Sequence, residues 1–241
     1  MASQHHEGPA FLAHHFDTPQ QQFSAAKLGM WLFLAQELLF FSGLFVAYGV
    51  YRVAHPEAFS VGSHLLDWRL GALNTVVLLL SSFTAAMAVR SAQLGEGAKP
   101  GFNRTAQWLV ATVVLAGVFM VVKYLEYTHK IHVGTLPGKF FQPTAEGLAE
   151  LQAAIGRTPP EMGITEVPYH IRSFLGIYFI MTGVHGLHVL IGIGVFIWIA
   201  RRAMRGEFTK EYFTPVDLGA LYWHLVDLIW IYLFPLLYLI D

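Results

Sequence analysis

The chain has 241 residues, 55% hydrophobic and 13% charged, with a mean hydropathy of +0.49. A soluble domain of this length carries about twice that share of charge, so the composition is that of an integral membrane protein. Fifteen basic and sixteen acidic residues nearly cancel, and cysteine is absent; this excludes a charge-driven nucleic-acid partner, disulfides, thiolate metal sites and CxxCH haem attachment.

Residues 1–27 read as a polar N-terminal tail without the basic-then-apolar order of a cleaved secretory signal, so the first membrane helix is expected to direct insertion. The pairs His5–His6 and His14–His15 read as solvated tail residues, with a local proton buffer as the alternative. From there, residues 28–241 form the expected membrane domain. Five apolar stretches, about 28–52, 70–90, 105–128, 173–200 and 219–240, each reach the roughly 20 residues that cross a hydrocarbon core. Backbone amides in lipid must bond within their own segment, so each stretch is read as an α-helix. The expected fold is an all-α bundle of five transmembrane helices.

Charged or ionisable groups inside these spans are costly unless paired or wetted, so each needs an account. Glu37 lies about nine residues into the first span, roughly 14 Å from its start. No basic residue stands three or four positions away, so its partner comes from another helix, a lipid headgroup or water. Two readings stay open for it: a protonated carboxyl bonded across a helix pair, or a contact to a proton route or lipid. The third span ends in KYLEYTHKIH, where Lys123 and Glu126 can pair at i,i+3. Glu126, His129 and His132 also form an ExxHxxH series that superficially matches a di-iron element, although one such element lacks its facing set.

Residues 129–172 form a long loop between the third and fourth helices. Within it Thr144 is expected to cap a short amphipathic helix to Ile155, stopped by Gly156 and the pair Pro159–Pro160. It reads as a hairpin lying on the bundle or as a docking surface. In the fourth span His185 and His188 stand three apart on one face, flanked by Gly183 and Gly186, which allow a neighbouring backbone close. The fifth span carries Trp223, His224 and Asp227, with the carboxylate spaced to orient or charge the imidazole. Interhelical hydrogen bonding is favoured for these histidines over a metal or haem site. The cluster Arg201, Arg202, Arg205 and Lys210 in one short loop places the N-terminus in the cytoplasm and the C-terminus and the 129–172 loop outside.

The segments GMWLFLAQELLFFSGLFVAY (29–48), LNTVVLLLSSFT (73–84), KYLEY (123–127), TGVHGLHVLIG (182–192) and YWHLVDLIW (222–230) follow one another in an order that resembles subunit III of haem-copper terminal oxidases, the cytochrome c oxidase family. The resemblance covers all five helices. It implies a non-catalytic subunit of a proton-pumping enzyme that reduces O2 to water in a bacterial plasma membrane. Its main contact would be subunit I, with subunit II and small subunits also possible partners. Haem and copper would sit in those partners; this chain would hold no metal or catalytic residue, and would bind phospholipid. The resemblance implies that Glu37 is the buried helix carboxylate that supports proton uptake or touches lipid. Glu126, His185, His188, Trp223, His224 and Asp227 would be structural or lipid-contacting. Many family members have two further helices before these five, so the lipid cleft here would be open or completed by another subunit. The N-terminal region favours cytochrome c as donor, with a quinol oxidase subunit or a nitric oxide reductase accessory subunit as alternatives. From a different class, a membrane di-iron enzyme would need about eight clustered histidines, and a b-haem protein would need two of these imidazoles as axial ligands.

Overall fold

The computed structural model describes residues 11–240, so the pair His5–His6 lies outside the described residues. The five long helices are α1 (Pro19–Ala54), α3 (Trp68–Gln93), α4 (Arg104–His132), α6 (Ile171–Met204) and α7 (Thr214–Tyr238). All five are long and apolar enough to cross a membrane. Two shorter helices join them, α2 (Pro56–His64) and α5 (Ala145–Ile155).

Local chemistry sets the ends. Thr18, Asp67, Asn103 and Thr144 each accept a backbone N–H in the first turn of the helix that follows, the standard use of a short polar side chain at an N-cap. Pro19 opens α1, nine residues before the apolar stretch begins, because a polar segment with a capping threonine and an N-terminal proline helicates as readily as an apolar one. Pro56 ends α1 and starts α2, a helix that hydropathy alone passed over as a connection. The cap at Thr144 and the helix to Ile155 match the sequence expectation.

Helices α3, α4, α6 and α7 close a four-membered ring, each packing on two neighbours. Helix α1 lies outside it against α7 and α6. The ring interior holds Phe119, Tyr178, Phe196, Trp223 and Trp230, all fully buried. Gly192 makes the α6–α7 approach possible: a Cβ there would stand 2.6 Å from the Trp223 ring.

One end of the bundle gathers the N-terminal segment with the α3–α4 and α6–α7 connections. Asn103 Nδ2 donates to Ala203 O there, and Lys27 pairs with Asp217 at 3.1 Å. The opposite end gathers α2, α5 and the C-terminal turn. Here Ser63 Oγ donates to Ile240 O at 2.9 Å, and Lys130 Nζ to Leu65 O at 2.6 Å.

Candidate functional site

Glu37 stands at the midpoint of α1 and His188 at the midpoint of α6, and they meet: Oε2 lies 2.9 Å from Nε2. The interhelical partner that Glu37 required is therefore an imidazole. The other ring nitrogen, Nδ1, faces Val184 O at 2.8 Å, and a carbonyl can only accept, so Nδ1 carries a hydrogen. That leaves one proton for the short gap between Nε2 and the carboxyl. Either the acid holds it and donates to a neutral ring, or the ring holds it and faces a carboxylate. The edge of Phe41 packs on His188 with centroids 5.1 Å apart, and Tyr222 donates to His188 O at 3.0 Å, so ring and backbone are both fixed. The pair is not sealed. Both side chains keep about a seventh of their surface accessible, 15% and 14%.

Lys123 and Glu126 pair as their spacing suggested, at 2.8 Å, and the pair is the centre of a larger network. Tyr178 of α6 and Tyr238 of α7 each donate to Glu126 Oε1 at 2.7 Å. The same hydroxyls accept from Lys123 Nζ at 3.2 and 2.9 Å. All three ammonium hydrogens thus have an acceptor, and the carboxylate receives three donors. The cation also lies 5.2 Å from the Trp230 centroid. Both charges are buried. The arrangement ties α4, α6 and α7 together at a single point.

The remaining intramembrane polar residues separate into individual contacts. Trp223 Nε1 donates to Ser81 Oγ at 3.0 Å, and Trp230 Nε1 to Thr75 Oγ1 at 3.1 Å, both between α7 and α3. His224 Nδ1 lies 2.6 Å from Ser82 Oγ. The expected His224–Asp227 contact does not form: His224 turns to α3, while Asp227 is buried with Oδ1 unbonded. A three-residue step turns an α-helix to about 60° short of a full circle, enough to keep the two side chains apart even though Ser82 of α3 lies beside both. The same divergence separates His185 from His188. His185 points into the ring interior between Phe119 and Trp230, with neither nitrogen bonded to protein.

In the last turn of α4, His129 Nε2 lies 2.7 Å from Glu150 of α5, and His132 is 3.9 Å from Glu146. The ExxHxxH series is thus spread over a surface contact with α5 and the internal knot at Glu126. Among the described residues no three His, Asp or Glu side chains gather as a metal site. Tyr178, Tyr238 and Ser82 were not singled out from the sequence. Tyrosines near span ends read as interfacial belt residues, and no local pattern says that two of them will turn onto one carboxylate.

Below the Glu37–His188 level, an apolar groove of about 480 Å³ runs between α1 and the α6–α7 face toward the end that carries the N-terminus. Met30 and Phe33 form one wall, Val195 and Trp198 the other, and Tyr222 stands at its inner end.

The family model for cytochrome c oxidase subunit III matches residues 6–158 and 160–241. The probable cytochrome c oxidase subunit 3 of Nocardia farcinica is 29% identical over 214 residues, 89% of this chain and 87% of that protein. The cytochrome c oxidase subunit 3 of Corynebacterium diphtheriae is 29% identical over 217 residues, 89% of this chain and 88% of its own length. The quinol oxidase subunit 3 of Bacillus spizizenii is 26% identical over 214 residues, covering 89% and 86%.

Proposed function

This multi-pass chain belongs to the cytochrome c oxidase subunit III family, a component of haem-copper oxidase complexes, and on that premise we propose that it supports proton uptake by a neighbouring redox subunit. In this reading the chain carries no redox centre. Haem and copper reside in subunits I and II, and subunit I is the main contact. The membrane is the bacterial plasma membrane, with the N-terminus in the cytoplasm, so the groove beside α1 opens toward the side from which protons are taken.

The observation that carries the reading is the Glu37–His188 pair. The pair shares one proton at the midpoints of α1 and α6, at a rim rather than in a sealed core. A carboxyl and an imidazole in hydrogen-bond contact can pass that proton between them with no change in net charge, the neutral pair becoming an ion pair. The groove below the pair is apolar and suits lipid chains, so a bound phospholipid there would exclude bulk water and keep proton exchange confined. The Lys123–Glu126 knot, in which every ammonium hydrogen has an acceptor and the carboxylate takes three donors, serves as a structural tie.

The test is Glu37→Ala in the assembled oxidase. Subunit composition is expected to be unchanged, while proton uptake and pumping decline over repeated turnovers. Turnover and pumping that stay at the wild-type level over many cycles would remove Glu37 from the mechanism. Purification in mild detergent is expected to yield this chain with subunits I and II; a functional monomer would count against the whole reading. Cytochrome c is the proposed donor. The quinol oxidase relative supplies the alternative, and oxidation of reduced cytochrome c by the purified complex decides between them.

A further inference from the structure

At the end of the bundle opposite the groove, a second cavity of about 550 Å³ lies among the α2–α3 turn, the last turns of α4, and α5. Three cations line it, Arg69, Lys130 and Arg157, together with three carboxylates, Asp67, Glu126 and Glu150. Each carboxylate has its hydrogen-bonded contact with another group. Asp67 caps α3 by accepting from Arg69 N at 2.8 Å, Glu126 holds Lys123 and two tyrosines, and Glu150 meets His129 at 2.7 Å. None of the three cations pairs with a carboxylate among the described residues. Arg157 Nε donates only to Ala153 O, and the Arg69 guanidinium lies beside the Trp68 ring.

Lys130 is the informative member. It is only 2% exposed, yet its ammonium has one protein acceptor, the Leu65 carbonyl. An ammonium has three hydrogens to place; one reaches the Leu65 carbonyl, Glu150 and Glu126 act on it only across space, and the other two hydrogens are left for an anion that enters the cavity. The two arginines supply planar forks suited to oxygen anions. Below this charged half, the wall is apolar, formed by Leu70 and Leu125, and Leu125 is exposed on the outside of the bundle.

We propose that this cavity binds a phosphate group through Lys130, Arg69 and Arg157. Three cations converging on one space suit a tetrahedral anion with several acceptor oxygens better than a two-oxygen carboxylate. The phosphate belongs either to a phospholipid headgroup, whose chains would run down over Leu70 and Leu125, or to a soluble phosphate. The site lies at the other end of the bundle from the Glu37 groove and does not depend on the proton-uptake reading.

The test uses the full chain purified in mild detergent with whatever subunits accompany it. Native mass spectrometry compares wild type with an Arg69→Gln/Arg157→Gln double variant; both arginines are exposed, so the substitutions leave the fold intact. A headgroup site predicts one phospholipid fewer per chain in the double variant. It also predicts rebinding of added phosphatidylglycerol weakened about a hundredfold, roughly tenfold for each guanidinium–phosphate hydrogen bond removed. Arg69→Lys/Arg157→Lys, which keeps the charge and loses the planar forks, should recover only part of that affinity, and Lys130→Met should weaken lipid binding independently. A soluble-anion site predicts equal lipid counts but a rise in wild-type melting temperature with inorganic phosphate that the double variant lacks. Equal lipid retention with no phosphate-dependent shift in melting would overturn the proposal.

Discussion

Two membrane carboxylates of this chain are held in opposite ways. Glu126 lies within α4, α6 and α7, receives three donors and is buried with its lysine. Glu37 lies on α1, meets a single imidazole and keeps part of its surface accessible. Their helices differ in the same sense: 11% of the apolar stretch of α1 is buried within the chain, against 50% of that of α7. A carboxylate that takes three donors, from a buried cation and two tyrosines, locks helices together and is poorly placed to exchange a proton. One with a single titratable partner, on a helix that the chain leaves largely uncovered, can trade a proton and meets whatever lies beside α1.

The largest effect should come from opening the closed network. Glu126→Ala leaves Lys123 as an uncompensated buried charge and should cost about 3–5 kcal/mol, read as a lowered melting temperature of the detergent-solubilised protein. Replacing both partners, Lys123→Leu with Glu126→Leu, should restore much of that stability. If the single and double variants melt alike, the ion pair is not what ties these helices. Next is the helix packing that supports both sites. Gly192→Ala drives a methyl into Trp223 and should destabilise by about 1–3 kcal/mol in the same assay.

The open pair should behave differently. Glu37→Gln and His188→Gln should each change melting by under about 1 kcal/mol, the scale of a membrane hydrogen bond. Both should slow proton uptake in the assembled complex, and the double variant should be no slower than either single one, because the two groups share one proton. Additive slowing would show that they act separately. Smallest should be Ser81→Ala, which removes the Trp223 hydrogen bond for about 0.6 kcal/mol. A larger destabilisation there would make the α3–α7 hydrogen bonds, rather than the Lys123 knot, the main lock of the ring.

Much of the architecture was legible in the chain itself. Five apolar stretches became five long helices because lipid leaves the backbone no other way to satisfy its amides. The i,i+3 spacing of Lys123 and Glu126 gave their pairing, since both lie on one continuous helix face. The same rule failed for His224 and Asp227, where Ser82 of α3 offered the imidazole another partner. It failed for His185 and His188 as well, since one faces the ring interior and the other α1. Helix α2 and the first turns of α1 escaped notice because caps and prolines, not apolarity, make them helical.

By itself, then, the sequence determined the membrane class, the number of spans and the family, and marked Glu37 and Glu126 as groups in need of partners. Those properties follow from composition and short-range periodicity, which are written locally. Only the tertiary structure decided the partners that come from other helices: His188 for one acid, and Tyr178 and Tyr238 for the other beside the Lys123 that its own helix supplies. Partner choice depends on how helices far apart in sequence rotate and slide against each other, and the packing of the whole ring sets those two degrees of freedom.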